Sequence, residues 1–167
     1  MNAFALSGLL GGVSCTVMAG LVYFSNRRSA ISQLWAVLCL AVSLWGFGAL
    51  LIGMSQDPQT ALILWRLANI GTVLIPPLFY HFATALARLH RSKNVALIYA
   101  ISAIWLGADG TPLFIARTRL VFGELYYNSP GPLYGPFTVF FWAVVVLAHL
   151  ESWRYLRRAQ RSQHHQL

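Results

Sequence analysis

The sequence predicts an all-α fold: a polytopic membrane helical bundle of about five transmembrane helices, N-terminus outside, C-terminus in the cytosol. Three observations predict it. Of the 167 residues, 57% are hydrophobic and only 10% charged, whereas soluble domains carry roughly 25% charged residues. A soluble chain of this length could not hide so much apolar surface. The apolar residues also gather into five runs of about the length that crosses a bilayer, roughly 20 residues. Finally, the basic residues segregate between alternate loops. Arg27, Arg28, Arg88, Arg91, Lys93, Arg154, Arg157, Arg158 and Arg161 fall on one side, and only Arg117 and Arg119 on the other. Short-loop basic residues mark the cytosolic side.

Taken in order, Ala3 to Phe24 is uncharged across 22 residues and then meets Arg27 and Arg28. A signal peptide is excluded, because the apolar stretch is too long, its basic residues follow it, and no small-residue cleavage site is evident. A helix over residues 3–25 is expected. The second run, Ala30 to Gln56, predicts a helix over 30–54, ended by Ser55-Gln56-Asp57-Pro58. The third predicts 60–87 and is interrupted only by Arg66. Its Pro76-Pro77 pair removes two backbone donors and predicts a kink. The fourth, 95–114, weakens at Gly107-Ala108-Asp109-Gly110-Thr111-Pro112, and the fifth covers 133–152. Between these two, residues 116–132 form an outer loop. There Arg119–Phe122 and Glu124–Tyr127 flank Gly123, as in a small hairpin lid.

Small-residue pairs four apart, Gly8 with Gly12 and Ala49 with Gly53, favour helix association in lipid. That association includes a homodimer among the expected partners, beside the lipid bilayer itself. The net charge of +8 does not point to nucleic acid, because the cations lie between apolar runs instead of along one stripe. Cys15 and Cys39 sit inside apolar runs and read as packing residues, with no disulfide or metal spacing.

No constellation for catalysis is present: no phosphate loop, no HExxH pair, no nucleophile with a base, and four acidic residues in all. Lys93, the single lysine, lies in a loop, which excludes a retinal linkage within a span. His81 and His149 would lie roughly 10 and 7.5 Å from the inner boundary at about 1.5 Å per residue. That depth would allow a haem, but hydrogen-bonded packing histidines are the simpler reading, so no cofactor and no metal is expected. His149-Leu150-Glu151 lacks the rest of a phosphoacceptor box. Arg66 reads first as snorkelling to the headgroups and second as the partner of Asp109. The ligand-binding candidates are therefore Arg66, Asp109 and His81.

Several stretches together resemble a known family. Asn26-Arg27-Arg28, Trp35, Ser43-Leu44-Trp45-Gly46, Leu64-Trp65-Arg66-Leu67, Gly71, Pro76-Pro77, His81-Phe82 and Pro130-Gly131-Pro132-Leu133-Tyr134 are similar to the N-terminal seven-helix sensor region of bacterial histidine kinases. The resemblance covers nearly the whole chain. It implies a multi-pass module of the bacterial plasma membrane that senses a small-molecule or membrane-borne signal and has no catalysis of its own. Arg161–Leu167 reads as an inner loop before a sixth helix, so the expected domain is incomplete at its C-terminus and lacks output domains. The rival reading is a small transporter or carrier subunit, although transporters usually show internal repeats and midplane charges.

Overall fold

The computed structural model describes the backbone of residues 2–164 and the side chains as far as Arg157. Its elements run α1 (Ala3–Ser25), α2 (Ala30–Met54), α3 (Pro58–Leu86), α4 (Ser92–Asp109), β1 (Ile115–Val121), β2 (Leu125–Pro130) and α5 (Tyr134–His164). The helices α1, α2, α3 and α5 are long and apolar enough to cross a membrane.

The 18-residue α4, diluted by Lys93, Asn94 and Asp109, falls short of these four in hydropathy. Three expectations need correction, the first in α4 itself. That helix ends at Asp109 and not at residue 114: Thr111 turns back through its amide and hydroxyl onto the Ala108 carbonyl, and Pro112 cannot continue a helix. The fold is also not purely helical, since residues 115–130 pair as an antiparallel hairpin. Phe122 (φ 55°) and Gly123 (φ 72°) take left-handed backbone in the three-residue loop between the paired Val121 and Leu125, which Glu124 N closes by donating to Val121 O. Finally, α5 runs on through the expected inner loop as far as His164; residues 165–167 lie outside the described residues.

Side-chain caps begin the first three helices. Asn2 Oδ1 accepts from the Ala5 amide, Ser29 Oγ from Ser32, and Asp57 Oδ1 from Gln59 and Thr60. The Thr60 amide above all holds the Asp57 carboxyl below the usual carboxylate range. At its far end α3 closes in a Schellman motif, with Leu89 N donating to Thr84 O and Arg88 N to Ala85 O. Arg88, at φ 51°, holds the left-handed position that usually goes to glycine.

Backbone-close contacts join α1, α2 and α3. A Cβ on Gly46 would lie 2.6 Å from Gly12 N, and one on Gly71 would strike the Ala41 carbonyl. Gly8, Gly12, Ala49 and Gly53, the small pairs of the sequence, all lie in this α1–α2 contact within one chain. A polar clasp locks it: Ser43 Oγ donates to Gly12 O at 2.9 Å and lies 2.6 Å from Thr16 Oγ1. Through Pro76 and Pro77, both buried, α3 remains helical without interruption. Around it two apolar clusters form, one on Trp65, Val73, Phe114, Ile115 and Phe137, the other on Tyr80, Ala83, Ile98, Val144 and Ala148. The alternating helices leave Arg27, Arg28, Arg88, Arg91 and Lys93 at one end of the bundle and the hairpin at the other.

Candidate functional site

Helical spacing places Arg66, Asn69 and Thr72 on one face of α3, and Ser102, Trp105 and Asp109 on one face of α4. These faces meet at the hairpin end. Asn69 Nδ2 donates to Asp109 Oδ1 at 3.3 Å, with both residues buried to 3% exposure. Asp109 is the last residue of α4, where the helix dipole disfavours a negative charge. A carboxylate that is both buried and at the wrong helix end is a costly choice for packing alone.

Arg66 extends toward the hairpin, its guanidinium 3.5 Å from the Ile115 carbonyl. It forms no direct ion pair with Asp109 among the described residues, so the structure brings the two candidates into one region without pairing them. Spare hydrogen-bonding capacity surrounds them: Arg66 Nε, Thr72 Oγ1, Ser102 Oγ and Trp105 Nε1 are buried and make no hydrogen bond. Below Thr72, Pro76 and Pro77 lack the amides that would bond the carbonyls of residues 72 and 73. Inside an apolar bundle each of these unmet groups costs about 1–3 kcal/mol.

The hairpin covers this region. Trp65 Nε1 donates to Tyr126 O at 2.9 Å, and its ring packs edge-on against Tyr127. Thr118 Oγ1 donates to Pro58 O, and Asn2 Nδ2 to Glu124 O. Beside the turn a cavity of about 500 Å³, lined by Asn2, Ser55, Gln56 and Glu124 among others, opens at the same end.

His81 does not join Arg66 and Asp109. It lies 15 residues along α3 from Arg66, roughly 22 Å at 1.5 Å per residue, with Nδ1 3.4 Å from Tyr99 Oη. It borders a separate cavity of about 400 Å³ with Thr84, His90 and Arg91. His149 Nδ1 lies 2.8 Å from the Val145 carbonyl of its own helix, and its ring packs on Phe79.

Near that end lies a second buried polar cluster that sequence reasoning missed. Glu151 of α5, 9% exposed at its side chain, accepts from Arg91 Nε at 3.2 and 3.3 Å and from Tyr80 Oη at 3.2 Å. Asn94 Nδ2 donates in turn to Tyr80 Oη at 3.3 Å. One carboxylate therefore ties α3 and α5 to the start of α4. An acidic residue at the edge of an apolar run was the available signal, but its partners depend on how three helices are rotated.

Among known proteins, the profile of a family described as the N-terminal 7TM region of histidine kinase matches residues 9–167. No curated protein and no solved structure matches the chain.

Proposed function

The chain belongs to the family of N-terminal 7TM regions of histidine kinases, and from that premise we propose that it receives a signal at the hairpin end and passes it to α5. Such regions are membrane sensor modules, not catalytic domains. The observation that carries this reading is a pair of buried polar clusters at opposite ends of the apolar bundle. At one end Arg66, Asn69 and Asp109 lie under the hairpin with unmet hydrogen-bonding groups beside them. At the other, Glu151 joins three helices beside the basic loops.

In this reading the hairpin end faces outside the plasma membrane of a bacterial cell, and α5 leads into the cytosol. The nine-to-two division of basic residues supports that orientation. A small polar or membrane-borne signal binds the Arg66–Asp109 region and favours one packing of α3 against α4 over another; equal affinity for both would shift nothing. The Glu151 junction carries the change to α5. His81 serves the basic-end packing and is not part of the signal site. Phosphoryl transfer needs a metal- and phosphate-holding loop, so we assign it to no residue of this chain. The transporter reading gains no support from the family match.

Hydrogen–deuterium exchange in nanodiscs tests the coupling. Asp109→Asn keeps the shape of the side chain and removes its charge. Faster exchange is expected both in the hairpin and at residues 151–157 of α5. A change confined to residues 105–130 would refute transmission between the two clusters. Orientation is tested separately with reporter fusions: activity outside the cell at Ser55 and Asn128, and cytosolic activity after Leu167, are the expected outcomes.

A further inference from the structure

A groove between α1 and α2, of about 550 Å³, runs along their basic-end halves. Its floor is Ala19 and Ala36, both buried, and its walls are Val37 and Leu40. Gly20 leaves it open, since a Cβ there would meet nothing within 4 Å. Thr16 closes its inner limit beside the Ser43 clasp. From Thr16 to Arg27 is 11 residues of sequence, about 16 Å along a helix, close to half of a hydrocarbon core of about 30 Å.

The mouth of the groove is polar and basic. Gln33, on its wall, donates through Nε2 to the Arg27 carbonyl at 2.9 Å. Arg27 and Arg28 are exposed in the adjoining turn and form no ion pair among the described residues. No acidic residue precedes Asp57 in the sequence, so no carboxylate of α1 or α2 can neutralise them. An apolar channel about one leaflet deep thus ends beside the turn that carries Arg27 and Arg28, whose guanidinium groups are the donors best matched to a phosphate.

We propose that this groove is a binding site for one anionic phospholipid, its acyl chain along Ala19, Gly20 and Ala36 and its phosphate at Arg27 and Arg28. The site lies away from both polar clusters and does not depend on which side of the membrane the basic end faces. A zwitterionic lipid fits the channel equally but lacks the net charge that the two arginines select.

Native mass spectrometry of the purified full chain, released from micelles with equal palmitoyl-oleoyl phosphatidylglycerol and phosphatidylcholine, tests it. The native chain is expected to retain one phosphatidylglycerol in at least tenfold preference. Each basic residue contributes on the order of fivefold near an anionic headgroup, so R27Q/R28Q should abolish the preference. Gly20→Trp, which fills the channel, should abolish retention of both lipids; if it does not fold, Val37→Trp fills the channel from the other wall. Equal retention of the two lipids by the native chain would overturn the proposal. So would a preference that survives R27Q/R28Q, or retention that survives the channel-filling variant.

Discussion

Removing the Tyr80 hydroxyl and the Glu151 carboxylate separately and together measures how firmly α5 is held to α3. Tyr80 is fully buried, and its hydroxyl donates to Glu151 Oε2 at 3.2 Å. A hydrogen bond to a charged group contributes about 1.5–3 kcal/mol. Arg91 bonds the same carboxylate at similar distance, but its side chain is 47% exposed, so its pair with Glu151 is screened and is expected to contribute less than about 1 kcal/mol. The geometry therefore ranks two couplings that a distance list would treat as equal. In a double-mutant cycle of Tyr80→Phe with Glu151→Leu, read by denaturant unfolding in mixed micelles, the coupling should be about 1.5–3 kcal/mol. The parallel cycle of Arg91→Ala with Glu151→Leu should give about 1 kcal/mol or less. Additivity of Tyr80 and Glu151 within about 0.5 kcal/mol, or a larger coupling for Arg91, would refute the claim that the buried hydroxyl holds the junction.

Other outcomes follow from single residues. Arg88→Gly relieves a left-handed conformation at the α3 terminus and should stabilise the chain by about 1 kcal/mol, seen as a raised unfolding midpoint. Gly46→Leu should lower that midpoint, at a cost of about 1–3 kcal/mol, because its Cβ would meet the backbone of Gly12 and α1 must move away. The Asp57 carboxyl titrates below its unfolded value, so its capping contribution is present above the ordinary carboxylate range and is lost as pH falls through the lowered folded value. Asp57→Asn keeps the cap acceptor without the charge, and its acid unfolding curve should be flatter than that of the native chain.

Much of the fold was legible because lipid imposes a simple rule: backbone groups must bond internally, so each apolar run becomes a helix. The bounds expected for the first two helices, 3–25 and 30–54, match α1 and α2. The end of α4 was misplaced although its signals, Gly110 and Pro112, stood in the sequence; apolar Leu113 and Phe114 beyond them belong to the turn that leads into β1. The hairpin was legible because Gly123 stands between two β-rich segments. The site was less legible. Arg66 and Asp109 drew notice as charges among apolar residues, whereas Asn69 is neutral and carries no such flag. The Glu151 junction was invisible because Tyr80, Arg91 and Glu151 are far apart in sequence and meet only through the azimuth of each helix.

The length of α5 has a mechanical consequence. Its 31 residues extend about 46 Å, well beyond a hydrocarbon core of about 30 Å. A continuous helix is stiff over that distance and acts as a lever arm. Pivoting at the Phe114–Phe137 contact near its start, a tilt of about 5° would sweep the far end through roughly 4 Å, given that length. A displacement of about 0.4 Å at Tyr134, three residues ahead of that pivot, would thus arrive as several ångströms beyond the basic loops.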